Sequence, residues 1–187
     1  ININLQNKNG DTAFMITAYN QDVEIIAFLY EHFKDQININ LQNNNGDTVF
    51  MIAANNENVE IITFLYEKFK DQININSQNI ENYTAFMIAA TNPNVEVITY
   101  LYHKFKDKID INLQNNNGDT AFMIAANNED VEVITFLYET FKDQININSQ
   151  NIENYTVFMI AVTNQNVEII AFLYERFKDQ VNINFTN

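Results

Sequence analysis

Apolar and polar positions recur along this chain with a period of 36 residues, the spacing from Thr12 to Thr48. Each period opens with Ile-Asn-Ile-Asn or a close variant and continues through a polar stretch to a threonine. A short apolar run with Phe-Met-Ile follows, and then a longer run has apolar residues at every third or fourth position. The threonines are Thr12, Thr48, Thr84, Thr120 and Thr156. Such a repeat predicts a solenoid, in which each copy buries its apolar face only against its neighbours.

Five full copies and the start of a sixth account for the whole sequence. The copies are residues 1–36, 37–72, 73–108, 109–144 and 145–180, and residues 181–187 begin the next one. No stretch rich in Pro, Gly or Ser separates them, so we predict a single repeat array over residues 1–187. The chain starts in mid-pattern without an initiator Met, which suggests an excised fragment. We expect a monomer or a fragment of a longer array.

The second copy illustrates the elements that the pattern predicts. Alternation over residues 37–40 predicts a short extended segment. Gly46 follows an asparagine and indicates a turn, and Thr48 is a favourable N-cap for a short buried helix over residues 49–55. We expect Asn56 to end that helix in the left-handed conformation, which asparagine tolerates well. Its counterparts in the other copies are Asn20, Asn92, Asn128 and Asn164.

A second, longer helix is predicted to follow in each copy. Asn58 is its expected N-cap, and Asp or Asn takes this place in the other copies. Apolar residues spaced by three and four form one stripe for burial; in copy two they are Val59, Ile62, Leu65, Tyr66 and Phe69. The predicted fold class is therefore all-α, a solenoid of stacked helix-turn-helix repeats with short extended turns between them.

This pattern resembles the ankyrin repeat family along the whole chain. Gly46, Thr48 and the alanine pair Ala53-Ala54 fall on matching places of the family's repeat. The chain differs in three respects: Thr-x-Phe-Met replaces Thr-Pro-Leu-His, the glycine between the helices is absent, and the period is 36 rather than about 33 residues. We interpret the surplus as about one extra turn on the second helix, anchored by Phe33, Phe69, Phe105, Phe141 and Phe177. Other helical-pair repeats share the helix pattern but lack the Gly-Asp-Thr turn.

The resemblance implies a non-catalytic protein-protein interaction module. Binding would then use the turn tips and the concave face of the short helices. An alternative is a structural spacer or tether within a larger protein whose functional domain lies outside this fragment. A third hypothesis is that the array positions a catalytic domain elsewhere in the protein.

Charge and composition narrow the classes of partner. A net charge of −14 disfavours nucleic acid and anionic membranes, and it favours either a solubilising shell or a basic protein partner. The chain has no cysteine, which excludes disulfides and thiolate chemistry. We found no apolar run of the roughly 18 residues that a membrane span needs and no signal peptide at the start, so we expect a cytoplasmic or otherwise intracellular protein.

Catalytic or metal-binding residues are not indicated by the sequence. His32 and His103 occupy repeat positions where other copies carry varied polar residues, which is typical of solvent exposure. No nucleophile, base or ligand cluster stands apart from the repeat. We therefore expect no enzyme activity, no metal and no cofactor.

A break in the repeat provides the candidate binding residues. Copies one, two and four carry Asn-Gly-Asp in the turn, whereas copies three and five carry Ile-Glu-Asn-Tyr. Exposed Tyr and Ile side chains at turn tips are typical anchors of protein interfaces. The predicted partner-binding residues are Ile80, Tyr83, Ile152, Tyr155, Asn44, Asp47, Asn116 and Asp119. The alternative is that a 72-residue duplication carried the Tyr and Ile residues along without function.

Overall fold

The computed structural model describes residues 1–56, 59–92, 94–127, 131–178 and 180. Regular structure in these residues is entirely helical, so the predicted all-α solenoid of helix-turn-helix repeats is confirmed. The helices are α1 (Ala13–Tyr19), α2 (Val23–Phe33), α3 (Val49–Ala54), α4 (Val59–Phe69), α5 (Ala85–Thr91), α6 (Val95–Phe105), α7 (Ala121–Asn127), α8 (Val131–Phe141), α9 (Val157–Thr163) and α10 (Val167–Phe177).

The chain forms two compact units. Unit 1 is Ile1–Ile109 with helices α1 to α6, and unit 2 is Asp110–Asn187 with helices α7 to α10. In unit 1 the short helices α1, α3 and α5 pack side by side, and in unit 2 α7 packs on α9 in the same way. Each short helix also packs against the long helix of its own copy. The boundary between the units lies one residue after the predicted boundary between copies three and four.

The marker threonines begin the short helices, as predicted. Thr48 is extended, with φ −82° and ψ 161°, and its Oγ1 accepts a hydrogen bond from the backbone N–H of Met51 at 3.3 Å. The threonine and this bond are buried, so the cap replaces a water contact that the helix N-terminus would otherwise need. Equivalent bonds join Thr12 to Met15, Thr84 to Met87, Thr120 to Met123 and Thr156 to Met159.

The prediction that asparagines end the short helices in the left-handed conformation is wrong. Their φ angles are negative; at the C-caps Asn20, Asn92 and Asn164 they are −79°, −83° and −80°. In copies one and five the left-handed residue is the next one along, Gln21 with φ 56° and Gln165 with φ 57°. These glutamines occupy the place of the family's interhelical glycine. The counterpart Asn128 lies outside the described residues.

The asparagines contribute through their side chains instead. Asn56 Nδ2 donates to the carbonyl oxygen of Ala18 at 2.9 Å, and Asn92 Nδ2 donates to that of Ala54 at 3.2 Å. Each acceptor lies near the C-terminal end of the short helix in the preceding copy, where carbonyl groups lack intrahelical partners. The amide therefore caps a neighbouring helix and joins two copies.

The long helices have 11 residues in every copy and end at the predicted anchor phenylalanine. Asp22, Asn94 and Asn166 are their N-caps, as expected, whereas Asn58 and Asp130 lie outside the described residues. The anchor Phe69 is 3% exposed, and its ring meets two aromatic rings of the preceding copy edge-on. Phe105 and Phe177 repeat this arrangement.

The alternating segment at the start of each copy contains no strand in the described residues. Ile37 and Ile39 are buried and Asn38 is exposed, which matches the alternation, but residues 39–40 form a turn. Asn38 Oδ1 accepts a hydrogen bond from the backbone N–H of Asn40 at 3.1 Å. A side chain thus satisfies the backbone donor that a strand partner would satisfy in a sheet.

A row of glutamine amides joins successive copies within each unit. Gln42 Nε2 donates to the carbonyl oxygen of Gly46 in its own copy at 2.7 Å and to that of Gln78 in the next copy at 3.0 Å. The bonds from Gln6 to Gln42 and from Gln114 to Gln150 are equivalent, at 2.8 and 3.2 Å. We call this row the glutamine ladder.

Candidate functional site

The tip of each copy is a turn built on one asparagine, which is buried in copies two and four. Asn43 Oδ1 accepts the backbone N–H groups of Asn45 and Asp47 at 3.0 and 2.9 Å. The backbone of Asn43 also donates to the carbonyl oxygen of Asp47 and accepts from Gly46. Four hydrogen bonds within five residues hold the tip in one conformation in the unbound protein. Binding a partner should therefore cost little conformational entropy at the tip.

Successive tips pack closely on one another. The backbone N–H of Ile80 donates to the carbonyl oxygen of Asn45 at 3.0 Å. Gly46 has φ +76°, and a Cβ built there would lie 2.7 Å from the Ile80 nitrogen. In copies three and five Asn82 and Asn154 take the glycine place with φ angles of 60° and 64°. Asparagine is among the few residues that adopt this conformation at modest cost.

Of the four predicted residues of unit 1, two are exposed at tips and two are half-buried. Ile80 is 63% exposed at its tip. Asn44 is exposed, and its Nδ2 donates to the carbonyl oxygen of Lys8 at 2.9 Å, so it joins one tip to the preceding one. Asp47 is half-buried and its Oδ1 accepts from Asn79 Nδ2 at 2.8 Å. Tyr83 was expected to be exposed at the tip, but it is half-buried because it lies in a groove.

Unit 2 repeats these residues 72 positions later. Ile152 is 70% exposed and Tyr155 is 36% exposed. Asp119 Oδ1 accepts from Asn151 Nδ2 at 2.9 Å, as its counterpart does in unit 1. Asn116 is exposed at its tip. The predicted set therefore forms two groups, one in each unit, which share the Asp–Asn contact but differ at the tyrosine, half-buried in unit 1 and exposed in unit 2.

A groove of about 290 Å³ lies in unit 1 between the tips and the short helices. We call it the short-helix groove. It brings two predicted residues together with apolar side chains of α3 and α5 and a tyrosine of α1, whereas Ile80 and Asn44 are not among its lining residues. Its lining includes Tyr19, Asp47, Met51, Ile52, Tyr83 and Ile88.

The short-helix groove is electrostatically negative. Burial is the main reason why the pKa of Asp47 is raised above its ordinary value of 3.8, and the nearby carboxylates of Glu81 and Asp11 raise it further. The hydrogen bond from Asn79 acts in the opposite direction. No lysine or arginine in the described part of the chain forms an ion pair with Asp47. The groove therefore holds carboxylate charge that the described residues do not neutralise.

Tyr19 extends this network. Its hydroxyl oxygen accepts a hydrogen bond from Asn43 Nδ2 at 3.0 Å, and the same amide donates to Asp11 Oδ1 at 3.0 Å. Burial and then the charges of Asp11 and Asp47 raise the pKa of the Tyr19 phenol. The phenol therefore stays neutral at physiological pH, and its ring remains available as an aromatic wall.

Tyr19 was missed by the sequence reasoning, as were the apolar residues of the groove floor. A signal existed: the repeat position of Tyr19 is held by Asn55, Thr91, Asn127 and Thr163 in the other copies, so an aromatic ring here departs from the pattern. Met51, Ile52 and Ile88 carried no signal, because apolar residues at their repeat positions also form the core.

Other chemistry is sparse in the described residues. They contain no group of three or more His, Cys, Asp or Glu side chains that could hold a metal ion. His32 and His103 are exposed, and His32 Nδ1 lies 2.8 Å from the carbonyl oxygen of Phe28. None of the described helices has both the length and the apolar character needed to cross a membrane.

Comparison with known families agrees with the repeat geometry. The family model described as "Ankyrin repeats (3 copies)" matches residues 1–79, 33–112 and 86–187, which together span the chain. No curated protein matches the chain significantly. The chain belongs to the ankyrin repeat family.

Proposed function

We propose that this chain is a protein-protein interaction module that binds a basic protein partner through its tips and the short-helix groove. Ankyrin repeats are generally non-catalytic modules of protein interaction. The observation that carries the proposal is the groove itself, in which Asp47 and Tyr83 of two successive tips meet Tyr19 of α1. We further propose that the chain acts inside the cell, as a monomer or as part of a longer array.

The chemistry of the groove suits a protein surface. Its floor of Met51, Ile52 and Ile88 offers apolar contact, and its two tyrosines offer large rings at low entropic cost. Ile80 lies between two lining residues and is largely exposed. Burying such a side chain in an interface is worth about 1.5–3 kcal/mol, which is typical of an anchor residue.

The test compares matched tip variants in the whole chain. Partners are isolated by affinity capture, identified by mass spectrometry and then titrated in purified form by calorimetry. Ile80→Ser with Tyr83→Ser is expected to weaken binding by at least about tenfold, or 1.4 kcal/mol. Ile152→Ser with Tyr155→Ser reports whether the second group also contributes. Lys34→Gln, at the exposed C-cap of the long helix α2, serves as the control and should leave the affinity unchanged.

If neither tip pair alters the affinity of any captured partner, the tips and groove are not the binding surface. The spacer or tether alternative would then be favoured, and it has its own support in the glutamine ladder, which repeats without regard to the tips. A spacer tolerates the tip changes but loses function when two whole copies are deleted. An interaction module that uses the groove loses affinity for its partner in the tip variants.

A further inference from the structure

The short-helix groove combines aromatic walls with uncompensated carboxylate charge, and this combination narrows the partner's chemistry. Tyr19 and Tyr83 line it, Asp47 contributes a carboxylate, and Met51, Ile52 and Ile88 provide apolar contact. Oδ1 of Asp47 accepts from Asn79, whereas Oδ2 has no hydrogen-bond partner among the described residues. A ligand for this site must donate hydrogen bonds, carry positive charge and stack on rings.

The volume of the groove fits one long side chain. Its volume of about 290 Å³ is many times the roughly 10–15 Å³ of cavity that one water needs. The groove therefore has room for several non-hydrogen atoms in a row, as in the side chain of arginine. Its planar guanidinium stacks on tyrosine and donates two parallel hydrogen bonds to a carboxylate, which the compact, strongly hydrated ammonium of lysine cannot do.

The chain already holds cations between aromatic rings elsewhere. Lys68 Nζ lies 5.3 Å from the centre of the Tyr30 ring and 5.9 Å from that of Phe64. Arg176 lies over Tyr138 and Phe172 in the same way. In both cases two rings from successive copies receive a cation of the chain itself. The short-helix groove has two tyrosines and a carboxylate, and no lysine or arginine lines it.

We infer that the protein partner inserts an arginine side chain into the short-helix groove, where its guanidinium meets Asp47 and packs against Tyr19 and Tyr83. This inference rests on the proposed function, since it names the chemical group by which the partner is recognised. It also makes unit 1 the preferred unit. Unit 2 carries Asp119 and Tyr155, but the repeat position of Tyr19 in the copy before Asp119 is Thr91, so the second group has no counterpart of the Tyr19 ring.

The probe for the test is N-acetyl-arginine amide, titrated into the whole ¹⁵N-labelled chain and followed by amide chemical shifts. N-acetyl-citrulline amide has nearly the same shape but no charge, and it is the matched control probe. Arginine is expected to perturb the amides of Tyr19, Asn79 and Tyr83 and to bind at least about tenfold more tightly than citrulline. Asp47→Asn should abolish this difference, whereas Asp119→Asn should leave it intact.

Asp47→Asn keeps a side-chain oxygen for the Asn79 bond, so the groove should stay formed, and an unchanged amide spectrum outside the groove verifies this. Equal binding of arginine and citrulline, or an arginine preference that survives Asp47→Asn, would overturn the inference. If arginine fails while the Ile80 and Tyr83 variants still weaken a captured partner, the interaction module stands and only the arginine assignment is wrong. If both fail, the proposed function fails as well.

Discussion

Replacing Gly46 with alanine tests how tightly the tips of successive copies are packed. Gly46 has φ +76°, and the added Cβ would lie 2.7 Å from the Ile80 nitrogen and 2.9 Å from the Asn79 Cα. Both atoms belong to the backbone, so no side-chain rotation can relieve the contact. The Ile80 nitrogen also donates the hydrogen bond to Asn45 that joins the two tips, at 3.0 Å. The substitution therefore strains one turn and disrupts its link to the next.

The expected cost is the sum of two contributions. Holding a residue with a Cβ in the left-handed region costs about 1–2 kcal/mol. Losing the backbone hydrogen bond of Ile80 costs about 0.5–1.5 kcal/mol. Gly46→Ala should therefore lower the free energy of unfolding by about 1.5–3.5 kcal/mol, although it adds only one methyl group, because Gly46 is buried against the backbone of the next tip.

Urea unfolding followed by circular dichroism measures this cost. Gly118→Ala should give a similar loss, because the same Cβ would lie 2.9 Å from backbone atoms of Asn151 and Ile152. The control is Asn154→Ala, at an equivalent tip position that already holds a Cβ at φ 64°. Its cost should be about 1 kcal/mol or less, because the wild-type residue already has a Cβ in the left-handed region, so the change adds no clash and removes only the preference of asparagine for that region. If Gly46→Ala costs no more than Asn154→Ala, the tips do not pack as described.

Three further predictions follow from the caps, the ring contacts and the groove. Thr48→Val removes the cap of α3 and should cost about 1 kcal/mol in urea unfolding, and Thr48→Ser should recover most of it. Lys104 Nζ lies 5.2 Å from the Tyr66 ring centre and 5.4 Å from that of Tyr100, so Lys104→Gln should cost about 0.5–1 kcal/mol, with the control Lys106→Gln near zero. Because the pKa of Asp47 is raised in the folded state, its contribution to stability is greatest below pH 3.8 and is lost as pH rises through the folded pKa. The free energy of unfolding of Asp47→Asn, relative to that of the wild type, should therefore increase from pH 3 to pH 7. A decrease over this range would contradict a raised pKa of Asp47.

The repeat pattern was sufficient to predict the helices because their signals are local. Thr48 caps α3 with its own side chain, and the apolar spacing of α4 defines which side is buried. Neither feature depends on where a neighbouring copy lies. The same holds for the turn at Gly46, whose left-handed backbone is signalled by the glycine itself.

The wrong and missing predictions concern interactions between copies. Asn56 was expected to be left-handed, but its amide donates to Ala18 of the preceding copy, and this bond is set by packing rather than by local preference. The sequence placed Tyr83 at a tip but could not say that its ring lies in the groove, because a tip position does not fix the direction of the side chain. Tyr19 joins the groove across two copies, and that proximity exists only after stacking.

The glutamine ladder has a consequence for how such a protein can change in length. Each amide donates to a carbonyl of the main chain in the next copy, as Gln42 does to Gln78 and Gln114 does to Gln150. Every residue type has a main-chain carbonyl. The glutamine of one copy can therefore form this hydrogen bond with a newly inserted copy, whatever side chain the inserted copy carries at that position. Insertion or loss of whole copies during evolution can therefore leave this part of the junction intact, without a compensating substitution on either side.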